Sequence, residues 1–209
     1  MTGLFIERGP IVQIRYKNNR VEVFTDRDKN TTYEGPLAVM VNRLSASASE
    51  IFAGAIQDYK RGIVIGSQTF GKGTVQTIVP LNRGQLKLTQ MKFYRISGES
   101  NQHRGIIPDI IYPDNFDPEV IGESALDGPL PWDTIPATRY PVASRESELI
   151  TRLNKSHQSR IKNDPDFIYE QSNPEFNSNI DSILRESTNV GFGLSKYLSD
   201  NNIKPVSYT

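Results

Sequence analysis

Strand and turn signals alternate through the first hundred residues. Residues 10–16 and 20–25 flank Lys17, Asn18 and Asn19 and predict a β-hairpin. A polar loop follows over 26–34. Residues 36–41 are a continuous apolar run, which predicts a strand covered on both faces. The period then changes. Ile51, Phe52, Ala55, Ile56 and Tyr59 fall on one face of a helix that opens at Ser47, and Gly62 supplies a stop signal just after Arg61. Ala46, Ala48, Ala53 and Gly54 are small and let this helix pack close to its neighbours. Residues 63–66 read as a short buried strand. Strand, helix and strand within about 30 residues make a βαβ unit, with a right-handed crossover and a parallel pair.

Beyond a glycine-rich turn at residues 70–73, two more strands are expected over 74–80 and 85–96. In the second, Leu86, Leu88 and Gln90 alternate with Lys87, Thr89 and Met91. Residues 103–111 read as a last short extended piece closing the core. The composition shifts near Tyr112, and the proline-rich stretch 113–141 predicts an irregular arm. Helical patterns return over 148–161, through Leu149, Ile150, Leu153 and Ile161. A second helix is expected over 174–185, through Phe176, Ile180, Ile183 and Leu184, capped by Asn173 before Pro174.

Length and composition narrow the class. The 209 residues suffice for one domain with a good core, or one domain with an appendage. With 36% hydrophobic and 23% charged residues the chain is globular in character. No stretch approaches the roughly 18 consecutive apolar residues of a membrane span, and residues 1–10 lack the basic and apolar regions of a secretory signal. Formal net charge is zero but unevenly spread, with 15 Lys and Arg against 10 Asp and Glu in residues 1–115, and 9 against 14 in the rest. No basic run carries interleaved aromatics, which speaks against nucleic acid as a partner. The absence of cysteine excludes a disulfide framework, a thiolate zinc site and a Cys nucleophile. Only His103 and His157 could serve a histidine triad or metal site, so a hydrolase built on this chain is expected to use another base.

Two segments carry candidate chemistry. Ser45-Ala46-Ser47-Ala48-Ser49-Glu50 lies at the C-terminal end of a buried strand and opens a helix, where ligands bind in open α/β folds. A hydroxyl there sits at the positive end of the helix dipole. The same spacing, Ser47-x-x-Glu50, is also a capping box. In Phe70-Gly71-Lys72-Gly73-Thr74-Val75-Gln76 a lysine stands between two glycines in an apolar context. Alone, it reads as a solvated turn lysine or a phosphate ligand. Gly66-x-x-x-x-Gly71-Lys72 resembles a P-loop fragment, but Gly73 stands where Ser or Thr is required and a strand follows. Taken together, the segments are more informative, because the βαβ topology can bring Ser47 and Lys72 to one edge of the sheet. A neutral lysine can take the proton from a serine hydroxyl. That requires its amine to fall from near 10.4 to roughly 7–8, against a free-energy difference of roughly 3–5 kcal/mol that apolar burial can supply. Residues 63–83 contain no Asp or Glu to oppose this. Gln76 could support the lysine without adding charge, provided the chain bends after Gly73; on a straight strand it would be a surface glutamine.

These segments resemble the tail-specific, or carboxyl-terminal processing, proteases, the bacterial periplasmic members in particular. The match runs through Arg43–Ala53, Gln57-Asp58-Tyr59 and Thr69–Gln76, with 25 residues from serine to lysine. It continues through Lys92-Phe93-Tyr94-Arg95, Gly105-Ile106-Ile107-Pro108-Asp109 and Leu130-Pro131-Trp132-Asp133, and weakens after about Asn173. The resemblance implies an α/β fold: a crotonase/Clp-protease-like ββα core with a mixed sheet, then an irregular arm and a helical C-terminal region. Residues 1–115 would be a partial catalytic core and 116–209 the arm and helices. It implies a serine endopeptidase with nucleophile Ser47, base Lys72, supporting Gln76, and the Ala48 N–H as one oxyanion donor. Ser45 and Ser49 become capping or packing serines, and Asp58, about three turns from Ser47, a residue that is structural or supports the site from behind. No metal or cofactor is implied. The implied partners are protein or peptide substrates engaged by their C-termini, a PDZ domain of the full-length chain, and a periplasmic adaptor, with membrane contact peripheral at most. The family's signal sequence, N-terminal region, PDZ domain and glycine-rich strand with the second oxyanion donor are expected upstream of residue 1. The chain then reads as a periplasmic enzyme's carboxy-terminal piece, a weak catalyst by itself. A non-catalytic fragment, or a module of the same fold binding apolar ligands or peptides, is the alternative.

Overall fold

The computed structural model describes residues 1–114, 116–142 and 146–172. The helix expected over 174–185 lies outside the described residues.

The first hairpin forms as the pattern predicts. Strands β1 (Gly9–Tyr16) and β2 (Val21–Asp26) pair antiparallel around Asn19, whose φ of 61° suits a tight turn. Next come β3 (Ala38–Val41), α1 (Ala48–Asp58) and β4 (Ile63–Gly66), with β3 and β4 parallel from Ala38↔Ile63 to Val41↔Gly66. This is the expected βαβ unit. Strands β5 (Thr74–Pro80) and β6 (Gln85–Tyr94) form a second hairpin, and of residues 103–111 only β7 (Ile110–Ile111) becomes a strand, parallel to β4. The parallel and antiparallel pairings of this α/β core fall into two sheets, β2-β1-β6-β5 and β3-β4-β7.

Both faces of the parallel sheet are covered at β4, which explains why that strand is apolar throughout. Alternate side chains of a strand point to opposite faces. Val64 packs with Val41, Ala53 of α1 and Ile106. Ile63 and Ile65 face the other way, against Ile110, Tyr112, Leu149, Leu153 and Phe167. Leu149 and Leu153 belong to α2 (Glu146–Arg160) and Phe167 to α3 (Pro165–Ser172). Each fully buried isoleucine in this layer contributes roughly 1.5–3 kcal/mol. The C-terminal helices are therefore part of the core layer.

Two local expectations are corrected. β3 is not covered on both faces: Ala38 and Met40, on one face, are exposed, Met40 at 46%, while Val41 on the other is buried. Gly62 does not end α1. Lys60 adopts the left-handed turn at φ 52°, and the N–H of Arg61 reaches back to the Ile56 carbonyl at 3.0 Å. Gly62 serves close approach instead, since a Cβ there would lie 2.6 Å from the Leu37 carbonyl oxygen.

The arm is irregular as expected, apart from a 3-10 turn over Glu123–Ala125. It lies along the antiparallel sheet. Asp133 accepts from Arg15 at 2.6 Å and from the buried Lys92 at 2.5 Å. The Trp132 indole N–H donates to the Ser100 carbonyl at 2.9 Å, and the Arg104 guanidinium stacks 3.7 Å above the Trp132 ring.

Candidate active site

The turn between β3 and α1 is built by short polar side chains. The Asn42 N–H donates to Ser45 Oγ at 3.1 Å, and Ser49 Oγ donates to the Ala46 carbonyl at 2.7 Å. These bonds account for Ser45 and Ser49 as turn-forming serines. Ser47, half-buried, is the N-cap of α1 with φ 60° and ψ −110°. A non-glycine residue held at positive φ costs of order 1–3 kcal/mol and persists where its surroundings over-determine it. A serine on a strained strand-to-helix turn is the arrangement of the nucleophile elbow. Ala48 follows at the first helical position, where the amide has no intrahelical acceptor.

What holds Ser47 there is Glu50, which is completely buried. Its Oε2 accepts the Ser47 N–H at 2.7 Å, closing the capping box from one side. The same oxygen accepts the Lys72 N–H at 3.0 Å. Oε1 accepts the Thr69 hydroxyl at 2.5 Å and the Gly71 N–H at 2.7 Å. One carboxylate thus ties the serine turn to the lysine loop, with the amides of Ser47 and Lys72 sharing a single oxygen. The Phe70 N–H adds a link, donating to the Ser45 carbonyl at 3.0 Å. Burial pushes the Glu50 carboxyl above its ordinary value, while its bonds from Thr69, Gly71, Ser47 and Lys72 work against that rise.

The lysine loop is pinned along its length. All five backbone N–H groups from Thr69 to Gly73 donate into hydrogen bonds, and four of the five carbonyls accept one. Gly71 has φ 89°, and a Cβ there would lie 2.7 Å from the His103 backbone. A Cβ at Gly73 would likewise lie 2.7 Å from the Gln102 backbone, so the loop is glycine on both sides of Lys72 because the turn at Gln102 and His103 lies against it. Lys72 itself is half-buried and makes no ion pair among the described residues.

Gln76 is placed differently from Ser47 and Lys72. The bend after Gly73 is absent, and β5 begins at Thr74 with only a register irregularity between Val75 and Gln76. Gln76 is exposed, and its amide donates to Thr89 Oγ1 at 3.3 Å. No hydrogen bond joins it to Lys72 among the described residues. Asp58 lies at the far end of α1 in a buried ion pair with Arg95, and burial holds its carboxyl above the ordinary value.

A cavity of about 220 Å³ opens at the C-terminal ends of the parallel strands, between Val41, Gly66 and Tyr112, with Ser45 on its rim. That is smaller than the roughly 300–1,000 Å³ typical of small-molecule sites and is of side-chain scale.

Residues 1–112 match the family described as "Peptidase family S41". The chain belongs to peptidase family S41. Residues 116–187 match the "C-terminal domain of tail specific protease". Over 180 residues this S41 chain is 44% identical to a "Tail-specific protease" of Haemophilus influenzae, covering 80% of this chain and 26% of that protein. It is 45% identical over 137 residues to a "Carboxy-terminal-processing protease" of Bartonella bacilliformis, covering 61% of this chain and 31% of the relative. The chain thus spans between a quarter and a third of the length of these relatives. Among solved structures it is similar to a "Photosystem II D1 C-terminal processing protease", at 35% identity and a TM-score of 0.46, covering 57% of this chain and 30% of that one.

The candidate site also holds residues that the sequence did not single out as functional. Glu50 carries only a cap signal, and Thr69, Arg43, Gln102 and Glu123 carry none. Their partners lie 19 to 78 positions away, so no local pattern could reveal them. Among the described residues no group of three or more His, Cys, Asp or Glu is arranged to hold a metal ion, and no helix is long and apolar enough to cross a membrane.

Proposed function

We propose that this chain carries the catalytic pair of a serine endopeptidase, with Ser47 as nucleophile and Lys72 as general base. The observation that supports this most is the shared Glu50 oxygen, which sets the Ser47 and Lys72 backbones side by side. The strained turn at Ser47, and the lack of an ion pair to Lys72 among the described residues, are in keeping with it. Lys72 Nζ takes the proton from Ser47 Oγ as the oxygen attacks the scissile carbonyl. It then gives that proton to the leaving amine, and water releases the acyl-enzyme by the reverse path. The Ala48 N–H donates to the oxyanion, a contribution of about 3–4 kcal/mol in the transition state. The role of Gln76 is carried over from the family motif, its carbonyl oxygen accepting from the Lys72 amine once the β5 irregularity adjusts. The side-chain-sized cavity beside Ser45 suits an apolar residue of a peptide.

In the same reading the enzyme works in the periplasm on proteins engaged by nonpolar C-terminal tails. A PDZ domain and a periplasmic adaptor are its partners there. The test is covalent labelling of the full-length protein by a fluorophosphonate, with mass spectrometry of the labelled peptide. Labelling at Ser47 that disappears in Lys72→Ala is the expected result. Labelling at Ser49, or labelling indifferent to Lys72→Ala, would sink the assignment. Binding of apolar peptides by a protein that never labels would favour a non-catalytic module.

A further inference from the structure

We propose that residues 118–123 of the arm form a brace that positions the Lys72 loop, with Glu123, Gln102 and Arg43 as its positioning residues. This rests on the reading of Lys72 as the base.

A general base must sit within hydrogen-bond reach of the proton it takes. Lysine is a long chain with free rotation, so the placement of its amine depends first on how firmly its backbone is held. Here that backbone lies between two glycines, the residues that restrain a chain least. The restraint has to come from outside the loop, and on one side it comes from the arm.

Glu123 reaches the loop on both sides of Lys72. Its own N–H donates to the Phe70 carbonyl at 2.9 Å. Its Oε1 accepts the Gln102 side-chain amide at 3.0 Å, and Gln102 Oε1 in turn accepts the Gly73 N–H at 2.9 Å. Gln102 is completely buried and Glu123 nearly so. The chemistry allows one orientation of the Gln102 amide. A backbone N–H can only donate, and an ionised carboxylate can only accept. Glu123 therefore fixes which face of Gln102 meets Gly73. Arg43, also buried, is the third element. It donates to the Thr69 carbonyl at 2.9 Å and to the arm carbonyls of Ile121 at 2.5 Å and Pro118 at 3.4 Å. Gly122 lies against it, and a Cβ at Gly122 would come within 2.2 Å of Arg43 Nη2.

Thr69, Phe70 and Gly73 are thus each bonded to the arm directly or through one side chain, while Gly71 and Lys72 hang from Glu50. The loop has two independent supports, α1 on one side and the arm on the other. Loss of the arm's support would leave Ser47 in place and displace Lys72.

The experiment measures fluorophosphonate inactivation of the full-length protein, separating the maximal rate from the half-saturating concentration, beside amide hydrogen exchange at Gly73 and Ile65. Glu123→Ala and Gln102→Ala should lower the maximal inactivation rate by about 10- to 100-fold, the scale of a small misplacement. Half-saturation should stay within about twofold, since binding of the probe at Ser47 is untouched. Gly73 exchange should quicken while Ile65, in the β4 core, stays protected. Glu123→Gln keeps an acceptor oxygen and should recover most of the rate. Gly122→Ala removes no bond and should slow inactivation by pressing on Arg43, which keeps the proposal testable should Gln102→Ala fail to fold. A normal rate in Glu123→Ala and Gly122→Ala, with Lys72→Ala inactive, would overturn the brace and leave the Ser–Lys pair standing. Inactivation that survives Lys72→Ala would instead overturn the pair itself.

Discussion

Replacing Glu50 separates what a buried carboxylate does for stability from what it does for the site. In Glu50→Ala three backbone N–H groups, of Ser47, Gly71 and Lys72, and the Thr69 hydroxyl lose their acceptor. Each buried donor left unpaired costs about 1–3 kcal/mol. Against this, the mutation removes a charge whose desolvation is itself unfavourable by several kcal/mol, and water can enter the vacated space. The net loss is expected at about 3–5 kcal/mol, the scale for stripping one partner from a buried charged network. Glu50→Gln should behave differently. Its NH₂ can take the Oε1 position, where the Thr69 hydroxyl can turn to accept and only the Gly71 N–H is orphaned. Its oxygen then still joins Ser47 to Lys72. Relief of the buried charge offsets that single orphan, so stability should stay within about 2 kcal/mol of wild type. Urea unfolding at constant m-value measures both changes, and fluorophosphonate inactivation measures the site. Glu50→Ala should slow inactivation at least about 100-fold and Glu50→Gln about tenfold or less. An Ala variant that folds and labels at the wild-type rate would refute the idea that the shared oxygen aligns the pair.

Three more outcomes follow from the same structure. Arg95→Ala leaves the 5%-exposed Asp58 carboxylate without its counter-charge, so urea unfolding should register a loss of about 3–5 kcal/mol. Gly71→Ala forces a Cβ into the His103 backbone at φ 89°. It should cost about 1–3 kcal/mol and abolish labelling at Ser47, whereas Gly84→Ala, in open space, should keep its labelling rate. Burial raises Glu50 above its ordinary 4.5, so the folded chain holds that proton more tightly than the unfolded one. Its contribution to stability is complete below pH 4.5 and is lost as pH rises through the folded value. Unfolding free energies of wild type minus Glu50→Gln should therefore decrease from pH 4.5 upward, and a difference that grows with pH would contradict the burial argument.

The meeting of the Ser47 turn with the Lys72 loop was legible because their signals are local: a small-residue turn opening an amphipathic helix, and a lysine between glycines, 25 residues apart across one βαβ unit. Such a unit has few ways to fold, so its two ends meet at one sheet edge. The apolar run of β4 and the stripe of Leu149, Ile150 and Leu153 on α2 likewise announced buried surfaces. Which surfaces they would meet was not written in either pattern, because hydrophobic burial has no direction of its own. The short helix α3 buries only Phe167 in its core cluster, too little periodicity to be seen. The bend that a Lys72–Gln76 contact would require does not form, because the strand predicted over 74–80 pairs with β6 from Thr74 onward and satisfies the backbone that a bend would have left open. Gln102, Glu123 and Arg43 depended wholly on tertiary structure, as did every bond of Glu50 beyond its capping box with Ser47. Each acts by hydrogen bonds to backbone groups far along the chain, and every residue offers the same backbone groups. Only folding decides which of them come within 3 Å of a buried side chain, a distance set by the geometry of such bonds.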